Sequence, residues 1–279
     1  AKGRFLSQGT ASVPSFTGTG PATLSGMLAH IPADTLADGD VLLTNDPWIG
    51  TGHVYDVNIV KPIFRNGRLV AYALSVSHLA DIGGIGYGTG ARDNYEEGIC
   101  IPPVKLFVRG EPNKFVFDLI EANVRFRDLV IGDIYSNVAA CNVAAAAIDD
   151  LLAEYGLADT VAAADAIFEL THHAISDVLR TLPRGEFAGS LSVEGVEDDA
   201  LINLAVRISV SPEGFAFDFR GTSPVVNRGI NVPLCYTRAY CYFTFKTIVA
   251  SNIHNNQAVL DFVNSAELKP LAALGTSCP

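Results

Sequence analysis

The strongest constraint on the fold is a hairpin signal centred on Asn66-Gly67. Two apolar, β-branched runs, Val57–Phe64 and Leu69–Ser77, flank this pair of residues. Asn-Gly is the favoured sequence for a two-residue type I′ turn, because both residues tolerate a positive φ. The sequence therefore predicts two paired antiparallel strands with a tight turn at one end and an open end at the other.

Polar side chains gather at the open end of this predicted hairpin. His53 and Asp56 precede its first strand, and His78 and Asp81 follow its second. If the two residues that flank the turn pair with each other, the same register places Tyr55 opposite His78. Directly opposite side chains have Cβ atoms about 5 Å apart, which suits two ligands of one metal ion.

The backbone must bend between His53 and Asp56 if both are to serve one site. Residues three apart on a straight strand face opposite sides of the sheet. Gly50 and Gly52 supply conformational freedom just upstream, and we expect a bulge in the residues between His53 and Asp56 to complete the bend.

Two imidazoles and a carboxylate are a suitable ligand set for a divalent Mn, Zn or Fe ion. Such a set, from His53, Asp56 and His78, leaves coordination positions open for water or substrate. Asp46 and Asp81 are candidates for orienting the imidazoles through hydrogen bonds. The alternative interpretation makes all of them ordinary loop residues, and an HxxD spacing by itself does not decide between the two.

The chain as a whole predicts an α+β fold: mixed sheets with a β-hairpin metal-site region, a central pair of long helices and a following antiparallel strand region. We expect a β-rich region over residues 1–132, a helical pair over 133–186 and an α+β region over 187–279 that is incomplete at its C-terminal end. Apolar residues at helical spacing predict the two helices over Asp133–Tyr155 and Thr160–Leu182.

From Phe187 the apolar period switches to two. This alternation predicts strands over Ser190–Val196, Leu201–Val210 and Phe215–Arg220, followed by a helix at about Thr237–Ala250. The regular alternation of strand and helix that builds a doubly wound sheet is missing from the pattern.

Composition limits the classes of function. The 279 residues include 19 Lys and Arg against 30 Asp and Glu, and the basic residues are scattered, so we expect no nucleic-acid partner. No apolar run is long enough to span a bilayer, and we expect no membrane attachment.

Five Cys without a CxxC pair predict buried thiols, and with the absence of a signal-peptide core they predict a cytoplasmic location. The start, without Met, is expected to lie inside a longer polypeptide.

A glycine-rich segment, Gly83–Gly90, follows the hairpin. It lacks the Lys-Ser/Thr ending of a phosphate-binding loop, so we expect a flexible active-site loop or a packed turn, and no ATP site in this chain. Glu97, in the Glu-Glu-Gly stretch that comes next, is a candidate general base, with a solvated turn as the alternative.

Four motifs together resemble the hydantoinase B/oxoprolinase family. They are NDP-x5-H-x2-D from Asn45, H-x2-DIGG from His78, EEG from Glu96 and D-F-x-GTS from Asp218. The resemblance covers essentially the whole chain, and the combination is specific although each motif alone is weak. Family subunits are considerably longer, so we expect this chain to be a fragment of one.

The resemblance implies a division of labour between two subunits. A hydantoinase A-type partner binds ATP and phosphorylates a carbonyl oxygen, and the B-type subunit completes the reaction in a hetero-oligomer. In the amide hydrolases the reaction opens a hydantoin or lactam ring, and in the acetone and acetophenone carboxylases it forms a carbon–carbon bond. The carboxylase branch also implies metal ligands at His53, Asp56 and His78, in agreement with the hairpin argument.

Three hypotheses follow. The leading one is the B-type subunit of an ATP-dependent cyclic amide hydrolase, in which Glu97 or Asp81 transfers the proton. The second is a subunit of an ATP-dependent ketone carboxylase with the same scaffold. The third is a non-catalytic scaffold subunit, which predicts no bound metal.

Overall fold

The structure, a computed structural model, describes residues 3–195, 201–226 and 228–264. The chain divides into two units: the first comprises Ala1–Arg4 and Thr19–Ala164, and the second comprises Phe5–Gly18 and Asp165–Pro279. Each unit combines helices with its own sheet, in which nearly all neighbouring strands are antiparallel. The predicted α+β class is therefore confirmed.

The first unit is built on a five-stranded sheet. Its strands are β1 (Val41–Thr44), β2 (Asp56–Arg65), β3 (Arg68–His78), β4 (Val104–Val108) and β5 (Glu111–Pro112). All neighbouring pairs are antiparallel, in the order β3-β2-β1-β4-β5. The helices that the structure describes here are α1 (Gly20–His30), α2 (Asn94–Glu97), α3 (Lys114–Asn123) and α4 (Arg127–Glu154), with a 3-10 turn at Ala33–Thr35.

Strand β2 is buried along most of its length because helices cover both faces of the sheet. Ile59 belongs to an apolar cluster with Ile134 of α4, on one face. Its neighbour Val60 belongs to a cluster with Met27 of α1, on the other. Successive residues of a strand point to opposite faces, so this sandwich accounts for the uninterrupted apolar run in the sequence.

Helix α4 is long and apolar enough, by length and composition alone, to cross a membrane, a test that core helices of soluble proteins also pass. One side of α4 packs into the core of the first unit through Val130, Ile134, Val138 and Cys141. We therefore interpret α4 as a core helix. It begins at Arg127, earlier than predicted.

The second unit carries a four-stranded sheet. Its strands are β6 (Gly185–Glu194), β7 (Leu201–Ser211), β8 (Gly214–Asp218) and β9 (Val263–Asn264). They follow the order β6-β7-β8-β9, and only the β8–β9 pair among the described strands is parallel. The helices that the structure describes in this unit are α5 (Val161–Thr181), whose first four residues belong to the first unit, α6 (Leu234–Val249) and α7 (Gln257–Asp261), with a 3-10 turn at Pro14–Phe16.

The core of the second unit is formed by helices and by the inner strands of its sheet. Ile175 of α5, Phe215 of β8 and Phe245 of α6 belong to one buried cluster. Strand β6, by contrast, is exposed at all of its residues. It begins five positions earlier than predicted, and the predicted end at Val196 lies outside the described residues.

Two cysteines are buried thiols, as predicted. Burial raises the pKa of Cys141 to about 11 and the pKa of Cys241 to about 12, so neither is a nucleophile at neutral pH. Cys100 is exposed, and Cys278 lies outside the described residues.

Candidate metal centre

The hairpin turn forms as predicted. Asn66 and Gly67 both have positive φ, 51° and 73°, which is the conformation that a type I′ turn demands. Arg65 and Arg68 face each other across it. The two strands of the hairpin are β2 and β3.

The register at the open end differs from the prediction by one residue. A bulge between Ile63 and Phe64 places an extra residue on β3, so every later pair is displaced. Asp56, not Tyr55, therefore lies directly opposite His78. The observed register suits a metal site better than the predicted one, because a carboxylate and an imidazole form a cross-strand pair.

His53 and Asp56 are brought together by a tight turn rather than by the bulge that we expected. The Asp56 N–H donates to the His53 carbonyl oxygen at 3.1 Å, which closes the turn. The His53 N–H donates in the same way to the Thr51 carbonyl oxygen at 2.8 Å. The chain thus reverses just before β2 starts, and the His53 side chain returns over Asp56.

The three predicted ligands converge. His53 Nε2 and His78 Nδ1 each lie 3.2 Å from Asp56 Oδ1. The candidate ligand atoms of the three residues all lie within 4.8 Å of one another. Asp56 is 1% exposed, whereas His53 and His78 are 25% and 41% exposed, so the cluster opens to solvent on the imidazole side.

The cluster fits a divalent cation in both composition and spacing. Ligands about 2.1 Å from a tetrahedral ion lie about 3.4 Å apart, and those of an octahedral ion lie about 3.0 Å apart. The two 3.2 Å separations, both from Asp56 Oδ1, fall between these values, so these two pairs suit a metal without selecting one. Two imidazoles and one carboxylate are also compatible with Mn, Zn or Fe.

Glu97 borders the same cluster. Its Oε1 lies 3.3 Å from His53 Nδ1, on the side of the ring away from Asp56. Burial lowers the pKa of His53, but hydrogen bonds and charge interactions with Asp56 and Glu97 outweigh burial and raise the pKa to about 9. The two carboxylates therefore make this position favourable for positive charge.

Glycines fix Glu97 in place. Gly84 has a φ of +59°, and a Cβ atom there would lie 2.4 Å from the Glu97 carbonyl oxygen. A Cβ atom on Gly98 would lie 2.5 Å from the Ile82 carbonyl oxygen. Only glycine permits such close approach of two backbones. The base of the glycine-rich loop is thus a packed turn that carries Glu97 toward His53.

Asn45 holds the other side of the site and was not singled out from the sequence. Its side chain is fully buried, and Nδ2 donates to the carbonyl oxygens of Val54 at 2.6 Å and Ile99 at 2.9 Å. Its Oδ1 accepts from the Ile101 N–H at 2.6 Å. Asn45 therefore ties the turn that contains His53 to the segment that follows Glu97. The signal was present in the NDP motif, since a polar residue directly after a buried strand must find partners.

Asp81 is not a member of the ligand cluster and binds Arg125. Its carboxylate accepts from Arg125 Nη1 at 2.9 Å, from the Arg125 backbone N–H and from the Gly83 N–H at 3.0 Å. Burial raises the pKa of Asp81, but these hydrogen bonds outweigh burial and lower it. Asp81 and Arg125 together anchor the start of the glycine-rich loop, and Arg125 was not recognised in the sequence.

Asp46 forms hydrogen bonds within its own loop. Its Oδ1 accepts from the Trp48 N–H at 2.9 Å, and its carbonyl oxygen accepts from the Gly50 N–H at 2.7 Å. These bonds shape the segment that leads to His53. A direct role of Asp46 in orienting an imidazole stays a prediction.

Tyr55 forms the floor beneath the two imidazoles. Its ring is 2% exposed and stacks on His78, with centroids 5.3 Å apart and planes 12° apart. The His53 ring lies 5.8 Å away at 29°. The Tyr55 hydroxyl is buried and has no hydrogen-bond partner among the described residues. The ring therefore limits how the two imidazoles can turn.

The D-F-x-GTS motif lies in the second unit, where it forms a turn. Thr222 Oγ1 accepts from the Ala205 N–H, and Ser223 Oγ accepts from the Asn203 N–H, both at 3.0 Å. The two hydroxyls extend the hydrogen bonding of β7 beyond the end of β8. The motif is thus part of the sheet of its own unit.

Comparison with known proteins places the chain. The model of the family described as hydantoinase B/oxoprolinase matches residues 1–267. The B-type subunit of a putative D-/L-hydantoinase from Pseudomonas sp. (strain NS671) is 29% identical over 99% of this chain and 49% of its own length. The chain spans about half, or less, of the length of the curated relatives it matches.

Two solved structures share the fold. The ATP-dependent caprolactamase from Pseudomonas jessenii matches with a TM-score of 0.85 at 26% identity, over 94% of this chain and 45% of that one. A nucleotide-free acetone carboxylase matches with a TM-score of 0.78 over 90% of this chain and 35% of that one, but at 18% identity this likeness concerns the fold alone. By its motifs and by the match over nearly all of its residues, the chain belongs to the hydantoinase B/oxoprolinase family.

Proposed function

We propose that this chain is part of the B-type subunit of an ATP-dependent cyclic amide hydrolase, which opens a hydantoin-like or 5-oxoproline-like lactam ring. The observation that carries the proposal is the convergence of His53, Asp56 and His78, with ligand atoms within 4.8 Å, in a chain of this family. Relatives named as a hydantoinase subunit and a caprolactamase favour the amide branch.

The proposed roles follow from position. His53, Asp56 and His78 would hold a divalent Mn, Zn or Fe ion, which when bound polarises a carbonyl group or lowers the pKa of a water molecule. Glu97 takes a proton from the attacking water and returns it to the departing ring nitrogen, because its carboxylate borders the cluster and is 20% exposed. Asp81, the other proton-transfer candidate, keeps Arg125 and the loop that presents Glu97 in place.

ATP chemistry belongs to a partner in this proposal. The relatives carry names of subunits of multi-subunit enzymes. We assign ATP to a hydantoinase A-type subunit that activates the carbonyl oxygen, and we place the complex in the cytoplasm. The B-type chain then supplies the metal and the proton transfer. A ketone carboxylase of the acetone type is the second candidate, because the motifs of this chain resemble both branches of the family.

Metal analysis of the purified chain is the first test. We expect close to one equivalent of divalent metal in the natural chain and almost none in His53→Ala or His78→Ala. His30→Ala is the matched control, because His30 is an exposed histidine of α1 and should leave the metal content unchanged. Equal metal content in all four proteins would exclude the site, and the absence of metal from all four would favour the scaffold hypothesis.

An activity screen decides between the two enzymes. The chain, in its full-length subunit and with the A-type partner, is assayed for ATP-dependent loss of hydantoins and lactams. The same complex is then assayed for ATP hydrolysis that depends on both bicarbonate and a ketone. Ring opening supports the amide hydrolase, and bicarbonate dependence supports the carboxylase. The absence of both activities contradicts both candidates.

A further inference from the structure

A tyrosine that the proposed chemistry does not use lies across the metal centre. Tyr87 is 76% exposed, yet its ring meets the aromatic rings of the site. It stands edge-on to His78, with centroids 5.1 Å apart and planes 88° apart, and edge-on to Tyr55 at 5.5 Å and 79°. The His53 ring is 6.4 Å away. Tyr87 thus covers, from the solvent side, the same imidazoles that Tyr55 supports from below.

The loop that carries Tyr87 is closely packed at its base and open around its tip. Gly83 and Gly84 at the base are held by close backbone contacts with Asn123 and Glu97. Gly86 and Gly88, on either side of Tyr87, have positive φ values of 95° and 156°, and a Cβ atom at either would meet nothing within 4 Å. Rotation about these two glycines therefore moves the Tyr87 ring at little steric cost.

We propose that Tyr87 is a specificity-determining residue of the metal centre, a movable aromatic wall that covers the two imidazoles and packs against the flat ring of a bound cyclic amide. This inference rests on the proposed function and names the contact that would select its substrate. Edge-to-face and stacked contacts stabilise aromatic and other flat groups, and ligand sites are commonly lined by such rings. The ring contacts of exposed Tyr87 among the described residues are with His53, Tyr55 and His78, so this ring is placed for that contact.

Tyr95 provides a matched control on the same stretch of chain. It is 78% exposed, close to the value for Tyr87, and it lies in α2, where its backbone N–H donates to the Asp93 side chain. Its ring makes none of the aromatic contacts found around His53 and His78 in the described residues. Removing Tyr95 takes away a similar exposed surface without uncovering the site.

The first experiment measures access to the metal position without requiring activity. The full chain is loaded with Co²⁺, whose visible spectrum reports on its ligands, and release to an excess of chelator is followed in time. We expect release from Tyr87→Ala to be roughly five-fold faster than from the natural chain, because the covering ring contacts are lost. Tyr87→Phe, which keeps the ring, and Tyr95→Ala should release Co²⁺ at the natural rate.

The outcomes separate the two proposals. If the natural chain binds Co²⁺ but Tyr87→Ala releases it at the natural rate, or if Tyr95→Ala accelerates release equally, the role of Tyr87 is refuted and the metal site stands. If the natural chain binds no Co²⁺ at all, the proposed function fails and the role of Tyr87 fails with it.

A second experiment tests the contact with substrate. In the assembled complex, we expect Tyr87→Ala to raise the KM for the cyclic amide about ten-fold while kcat changes less than about three-fold, because the lost contact serves binding. Tyr87→Phe should restore the natural KM. A fall in kcat at constant KM, or failure of Tyr87→Phe to restore KM, would contradict the proposed wall.

Discussion

The two long hairpins of this chain have the same size and opposite surroundings. β2–β3 and β6–β7 each pair a strand of 10 residues with one of 11. β2 is almost entirely buried, whereas β6 is exposed at every residue. β2–β3 contains a bulge, whereas β6–β7 keeps one register from Gly185 to Glu194. Pairing alone therefore does not make a site: the first hairpin carries the candidate site because its end is enclosed by loops that carry His53 and Glu97.

Truncation of one aliphatic side chain to alanine in each hairpin should give the largest contrast. Ile59→Ala removes a fully buried side chain from β2, and we expect it to lower the free energy of unfolding of the first unit by about 2–5 kcal/mol. Leu191→Ala removes a side chain of β6 that is 61% exposed, and should change the stability of the second unit by less than about 0.5 kcal/mol.

Hydrogen exchange with mass spectrometry measures both hairpins in one sample, since each peptide reports the stability of its own region. Equal losses of protection in the two variants would show that Leu191 is as well covered in solution as Ile59. That result would remove the contrast between the hairpins.

A second contrast compares two asparagines with the same hydrogen-bond pattern. Each side chain donates to two carbonyl oxygens and accepts from one backbone N–H. Asn45→Ala leaves the buried carbonyl oxygen of Val54 and the partly buried one of Ile99 without this partner, and we expect the free energy of unfolding of the first unit to fall by about 3 kcal/mol. Exposed Asn231 likewise binds Val226, twice, and the Arg228 carbonyl oxygen.

Asn231→Ala should cost only about 1 kcal/mol, because water can replace an exposed amide. The measurement is again hydrogen exchange, with peptides that cover residues 45–56 and 226–236. A loss for Asn231→Ala as large as the loss for Asn45→Ala would contradict the argument from burial.

Acid stability should give the smallest contrast. Asp40 is fully buried and bonds to Lys105 Nζ at 2.7 Å. Burial raises the pKa of Asp40, but hydrogen bonds with Lys105 and with the backbone outweigh burial and lower the pKa from 3.8. A carboxyl group with a lowered pKa stabilises the folded state above its ordinary value, and this contribution is lost as the pH falls below 3.8 through the folded pKa.

Asp40→Asn should therefore make the stability of the first unit depend less on pH below about pH 4. Trp48, the only tryptophan, lies in the first unit, so its fluorescence follows that unit during acid unfolding.

Asp218 is the counterpart in the second unit. A hydrogen bond from Arg220 lowers the pKa of Asp218 to about 2, but the pair is exposed on the Arg220 side. Asp218→Asn should have a small effect that disappears in about 1 M salt, where the screening length is about 3 Å. A persistent effect of Asp218→Asn in salt, or an unchanged acid slope in Asp40→Asn, would contradict this comparison.

The sequence carried enough information to predict that His53, Asp56 and His78 lie together, but not the contacts that hold them in place. Asn66-Gly67 predicted the turn, and the strands beside it placed His53, Asp56 and His78 at one end. The bulge near Val70 escaped prediction, because apolar residues occupy both faces of this part of the sheet and the run therefore has no period from which to count residues.

The missed residues depend on contacts distant in sequence. Arg125 reaches Asp81 across 44 positions, and Asn45 reaches Ile101 across 56. Tyr87 lies among glycines that give no clue to which way the loop folds. Local pattern predicts strands and turns, but such long-range partners become visible only when the chain is folded.

Because of the bulge, the number of residues in the hairpin determines which side chains meet at its open end. It lies about 24 Å along the strand from Asp56, at about 3.4 Å per residue, yet it decides which residue faces His78. Exchanging the extra residue for another would leave the far end untouched, whereas deleting it would present Tyr55 in place of Asp56. The 22 positions that separate Asp56 from His78 are therefore as much a signature of this centre as the residues themselves. Any search for the same centre in other chains should count that interval as well as match its letters.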